Sequence, residues 1–158
     1  MRGIDLNNAR ADFYQLPPGR PAGLGFHREM KTAGHLNLLL GWFWIMLGFA
    51  SGAIMGLWFH KEEWLGGYGS WMRRLYRLAH ISFFGLGLLN LMFFLTFRAL
   101  PLADLFPVAS AAFAAGALSM PLCCVIAAHR PAWKPIFAVP VLSLMTAAVV
   151  TLWMLVTL

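Results

Sequence analysis

Residues 32–60 read TAGHLNLLLGWFWIMLGFASGAIMGLWFH, a stretch without one Asp, Glu, Lys or Arg. A charge-free apolar run of about 18 or more residues is long enough to cross a hydrocarbon core as a helix. The same reading applies to 78–97, 105–129 and 135–158, which are equally free of charge. The whole chain has 158 residues, 60% hydrophobic and 11% charged, whereas an ordinary soluble domain carries about 25% charged residues. These runs predict an all-α integral membrane four-helix bundle, up-down-up-down, with helices near 32–60, 75–97, 105–129 and 135–158. Residues 1–31 are then an extended, polar, basic N-terminal tail.

The segments between the runs are too short to bury a core of their own. Any chemistry therefore belongs inside the bundle, at its rims, or to a larger complex. The tail mixes eight charges with the breaker stretch Leu16-Pro17-Pro18-Gly19-Arg20-Pro21, which is no signal-peptide h-region. Its Phe13-Tyr14 pair suits a membrane surface or a neighbouring subunit. The net charge of +6 fits anionic headgroups, and no aromatic-interleaved basic domain points to nucleic acid. Lys and Arg are split six and six between the tail side and the opposite, loop side, so the positive-inside rule leaves orientation open. Weighting the first segment places the N-terminus in the cytoplasm, in what reads as a bacterial inner membrane. Cys123 and Cys124 are adjacent and form no disulfide framework.

Gly48, Gly52 and Gly56 recur at spacing four, with Gly41 near the same stripe, and the third run is rich in Ala, Ser and Gly. Small residues at such spacing let helix backbones approach closely where lipid supplies no hydrophobic drive. Pro121 and Pro140 fall inside their runs and predict kinks. Trp58, Trp64, Trp71 and Trp133 read as a loop-side aromatic belt, while Trp42 and Trp44 lie deeper, suited to packing or to flanking a cofactor.

Polar side chains in hydrocarbon are functional candidates. His35 opens the first run on the tail side and His60 closes it on the loop side, about 37 Å away on the same face. His80 and His129 also lie toward the loop side, so His60, His80 and His129 can converge. Arg28 precedes His35 by seven residues, and Arg73 precedes His80 by seven. Two turns separate each pair, so a guanidinium can stand over the imidazole, as propionate partner and ligand of a haem. Gly87 leaves room for a porphyrin face, with Phe83, Phe84, Phe93 and Phe94 around it. Against this stands interfacial placement, the more common role for His60 and His129 beside Lys61 and Arg130. Asn37 and Asn90 suit interhelical hydrogen bonding.

The stretch Gly34-His35-Leu36-Asn37-Leu38-Leu39-Leu40-Gly41-Trp42, continuing to Gly48-Phe49 and Gly52, resembles the histidine-bearing helix of the haem–copper oxidase superfamily, including nitric oxide reductases. It is also similar to small four-helix proteins likened to those catalytic subunits. The resemblance covers about 25 residues and implies a low-spin haem b ligated by His35, in a respiratory setting. The twelve-helix core and the copper-ligand histidines of that family are missing.

No nucleophile with a base, phosphate loop or Cys/His metal motif is present, and no carboxylate lies within the runs for proton coupling. Two readings follow, both favouring a non-catalytic or electron-transfer subunit over a stand-alone enzyme. One is a membrane subunit of a respiratory or electron-transfer complex, binding haem b and exchanging electrons with quinone or a cytochrome. The other is a cofactor-free structural or assembly subunit of a larger membrane complex.

Overall fold

A computed structural model of the chain describes residues 22–100 and 105–157, with side chains from Gly34 onward. The described residues form four α-helices: α1 (Ala22–Trp58), α2 (Trp71–Ala99), α3 (Phe106–His129) and α4 (Ala138–Val156). Short 3-10 segments at Trp64–Gly66 and Pro131–Phe137 precede α2 and α4. Four stretches, Gly34–Trp58, Trp71–Ala99, Phe106–His129 and Pro131–Val156, are long and apolar enough to cross a membrane. Helices satisfy their own backbone groups, as a chain surrounded by hydrocarbon requires.

The boundaries differ from the charge-free runs in two informative places. The first helix begins at Ala22, so residues 22–31, expected as extended tail, are helical; with Pro21 behind them, they contain no residue that stops a helix from growing outward from the span. Residues 1–21, with Phe13 and Tyr14, lie outside the described part, as do 101–104. At the other end, α-helical geometry starts only at Ala138, because Pro131 and Pro135 hold the preceding residues in a 3-10 segment. Pro140 therefore lies in the first turn of α4, where its missing N–H interrupts little, and not in the interior as expected. Pro121 is inside α3.

The glycine stripe decides how α1 meets α2. A Cβ on Gly41 would lie 2.6 Å from Leu91, one on Gly48 would lie 2.8 Å from Phe84, and one on Gly52 would lie 2.8 Å from His80. These pairings descend along α2 as they climb α1, so the two helices run antiparallel. Gly56 departs from the expectation: a Cβ there would meet nothing within 4 Å. The closest backbone approach is Gly87 on Gly41, where an added Cβ would stand 2.9 Å from the Gly41 carbonyl.

α3 is the central helix. Half of its span is buried inside the bundle, against 17% for α1 and for the last span. Its Ala109, Ser110, Ala114, Gly116 and Ala117 are all buried, which lets neighbours close in on three sides. Leu144 of α4 fills the space over Gly116, and Phe93, Phe106 and Phe113 form a ring cluster with Ala147 and Met154.

Asn37, Asn90 and Ser110 join three helices in the core, all essentially unexposed. Asn37 donates to Asn90 Oδ1 at 2.7 Å, the Ser110 hydroxyl donates to Asn37 Oδ1, and Asn90 donates to the Leu86 carbonyl at 2.8 Å. The expected hydrogen-bonding role of the two asparagines is thus realised, at a typical ~0.6 kcal/mol per interhelical bond.

Two turns deeper in the same seam, the Trp44 indole N–H donates to the Ala117 carbonyl at 3.0 Å. Residue 121, which would ordinarily supply the helical N–H to that carbonyl, is a proline. Proline leaves the acceptor open and tryptophan from α1 fills it. The same pairing recurs at the loop side: Trp71 donates to Ala127 O at 2.9 Å, and residue 131 is Pro. Trp44→Phe should cost about 1–3 kcal/mol, the penalty for a buried acceptor left unmet. In a Pro121→Ala background, where the backbone N–H returns, the same substitution should cost clearly less. A double-mutant cycle of detergent unfolding measures the difference.

Candidate functional site

The four histidines with described side chains, His35, His60, His80 and His129, separate rather than gather. Among the described residues no group of three or more His, Cys, Asp or Glu could hold a metal ion, so the expected convergence of His60, His80 and His129 does not occur. His60 is exposed beyond the end of α1. His129 is exposed at the end of α3, and its Nε2 lies 3.0 Å from the Tyr76 hydroxyl. His35 is exposed at the tail side, its ring 6.5 Å from that of Phe94. Each is an edge group that meets one aromatic neighbour or none. The Arg28 side chain lies outside the described residues.

Arg73 does not stand over His80. Its guanidinium donates to the carbonyls of Glu62 at 3.2 Å and Phe59 at 3.3 Å, and is stacked on Tyr68 at 3.7 Å, with Phe59 and Trp64 also in cation–π range. It is fully buried, with Nε unpartnered. The physical reason is the connection that follows α1: the Phe59 and Glu62 carbonyls, just beyond the helix end at Trp58, are met by a fork of N–H groups from the first turn of α2. Ser70 completes the joint by capping α2, accepting from the Arg73 N–H at 3.1 Å and donating to the Leu65 carbonyl. That holds Leu65 at φ 53°, a left-handed conformation costly for a non-glycine residue. Arg73 is an architectural residue of the first connection.

The space expected beside Gly87 is filled by α1, whose Gly41 carbonyl and Ile45 side chain occupy it. The phenylalanines are likewise engaged: Phe93 in the core, Phe83 against Trp44, Phe84 against Phe49 and His80. Trp44 is buried while Trp42 is 62% exposed. His35 lies about 25 Å along α1 from Gly52, the residue level with His80. A haem inside the bundle between His35 and His80 does not fit these residues.

Among the described side chains, His80 is the one histidine built into a helix interface. Its ring is half-buried against Gly52 and edge-on to Phe84, with centroids 5.5 Å apart. Nδ1 lies 2.9 Å from Ser51 Oγ, and Ser51 Oγ donates to the Gly48 carbonyl at 3.1 Å. A serine hydroxyl has a single hydrogen. With that hydrogen directed at Gly48, Ser51 accepts from His80 in the Nδ1–H tautomer, which carries its lone pair on Nε2; with it directed at Nδ1, the roles reverse. Cε1 sits nearest Gly52, and the two nitrogens flank it, so Nε2 faces away from Ser51. Arg77, exposed and three residues before His80, shares its side of α2 one turn nearer the loop side.

Ser51 and Arg77 were not singled out from the sequence. The Arg77–His80 spacing of three was a readable signal. Ser51 carried none, since its role depends on α2 crossing α1 at Gly52.

No family model, no curated protein and no solved structure matches the chain.

Proposed function

We propose that the chain is a scaffold subunit of a larger membrane assembly of respiratory or electron-transfer type, an up-down-up-down bundle whose outer helix faces bind partner subunits. The observation that carries this reading is Trp42. Eight residues beyond Gly34, it lies about 12 Å inside the α1 span, largely exposed and with no hydrogen-bond partner for its indole N–H among the described residues. An indole N–H facing hydrocarbon at that depth is unfavourable, and a carbonyl or side chain of a neighbouring subunit relieves it. The closed Gly41–Gly87 seam and the mutually satisfied Asn37–Asn90–Ser110 cluster support a scaffold role. The electron-transfer setting rests on the resemblance of the His35 helix.

Extraction of native membranes in mild detergent tests the reading. The chain should migrate with other membrane proteins, and Trp42→Phe should release it while leaving its own helicity unchanged. Migration of the wild-type chain as a free monomer overturns the proposal.

A second reading is favoured by the His80 lone pair: Nε2 is a ligand for haem b held at the outer α1–α2 surface with a partner-supplied second ligand, while His35 would serve a separate haem on the tail side. A reduced-minus-oxidised haem band in the purified assembly that disappears in His80→Ala is its expected signature.

A further inference from the structure

We propose that the outer groove between α1 and α2, at His80, is a binding site for an amphiphile bearing a hydroxyl group, entered from the loop-side leaflet. The inference rests on the His80 hydrogen-bond chain and is independent of the assembly reading.

With the imidazole proton on Nδ1, as the site requires, Nε2 is turned away from Ser51 and is an acceptor only. It therefore selects a donor, and the donor borne by a membrane-soluble molecule at this depth is a hydroxyl. Gly52, level with the ring, is six residues from Trp58, about 9 Å below the loop-side end of α1, where amphiphile headgroups meet acyl chains. The approach is open on that side. A Cβ on Gly56, one turn nearer the loops, would touch nothing within 4 Å. The flanks are apolar and exposed, with Leu57 and Ile81 outward, and suit a hydrocarbon tail. Arg77, exposed and one turn nearer the loop side on the same side of α2, would donate to a second oxygen of the same headgroup. A hydroxyl donor paired with a nearby acceptor oxygen is the chemistry of a quinol ring and also of a partial glyceride.

Ser51 is a positioning residue here. It touches no ligand and holds the tautomer that presents the lone pair, much as outer-shell partners orient histidines elsewhere.

The full chain with ¹⁵N-labelled histidine in phosphatidylcholine nanodiscs provides the test. Free His80 should show the Nδ1–H tautomer. A short-tailed benzoquinol and dioctanoylglycerol are then titrated separately. Movement of the His80 Nε2 resonance with either probe supports the site; the benzoquinol alone identifies a quinol, and both together a general hydroxyl amphiphile. Binding should be lost in His80→Phe, and Ser51→Ala should weaken it about fivefold to tenfold, the effect of one hydrogen bond, with mixed tautomers in the same spectra. An Nε2–H tautomer in the free protein, equal affinity in wild type and His80→Phe, or no movement with either probe overturns the proposal. Circular dichroism of each variant separates loss of binding from loss of fold.

Discussion

Replacing Gly87 by valine is expected to disrupt the α1–α2 pair outright. The added Cβ would stand 2.9 Å from the Gly41 carbonyl oxygen and 3.3 Å from the Ile45 backbone nitrogen. Those are backbone atoms of a regular helix, and no rotamer change moves them aside. The helices must separate along their closest line, and the γ-carbons of valine widen the gap further. Overpacking of a tight core costs about 1–3 kcal/mol, and here the upper end is expected because the obstruction is main chain. The neighbouring control is Gly85, where a Cβ would meet nothing within 4 Å. Gly85→Val should therefore leave unfolding in denaturing detergent nearly unchanged. Equal losses at 85 and 87 would mean that α1 does not pack on Gly87. Gly41→Ala should be milder than Gly87→Val, since its nearest obstruction at 2.6 Å is the movable Leu91 side chain, although the Gly87 carbonyl follows at 3.0 Å.

Arg73→Met should release the first connection. The substitution keeps an unbranched chain but leaves the Phe59 and Glu62 carbonyls without their donors and empties the space beside Phe59, Trp64 and Tyr68. Hydrogen bonds from a charged donor contribute about 1.5–3 kcal/mol each, and a desolvated cation–π contact about 2. The desolvation cost of the buried guanidinium offsets part of this, so a net loss of about 3 kcal/mol is expected. Arg73→Lys should fall between, because a single ammonium lacks the planar fork that reaches two carbonyls while stacking on Tyr68. Limited trypsin digestion is the direct measurement. Lys61 lies in this connection with its ammonium over Trp58 at 4.3 Å, and cleavage after it should be slow in the wild type and rapid in Arg73→Met. Unchanged cleavage would show that the loop does not depend on the guanidinium.

The two substitutions mark the limits of reading helices one at a time. Arg73 and His80 share a face of α2 by periodicity, which is why a joint role at one ligand suggested itself. Periodicity says nothing about what stands opposite. Arg73 faces the connection just beyond α1, His80 faces Gly52 and Ser51, and the guanidinium is drawn to unmet carbonyls two turns from the imidazole. Gly87 shows the same limit. A glycine signals missing volume, and only the partner helix reveals whether a ligand or a backbone fills it. The Trp44–Pro121 pair was present in the sequence as two unrelated residues, one read as packing or flanking a cofactor and the other as a kink. Their connection is an acceptor on α3 that proline leaves open.

What the sequence determined by itself is the solvent of each segment. The four charge-free runs place four apolar helices in a membrane, because ionised side chains are too costly in hydrocarbon and a backbone there must satisfy its own hydrogen bonds. The glycine spacing also foretold close packing of α1, correctly at Gly41, Gly48 and Gly52. Only the tertiary structure decided which polar groups meet: Asn37 with Asn90 and Ser110, Ser51 with His80, Arg73 with the Phe59 and Glu62 carbonyls after α1. Those pairings depend on the relative rotation and register of helices far apart in the chain, and these are set by which small residues and side chains interlock, a property of two surfaces together that no single helix carries.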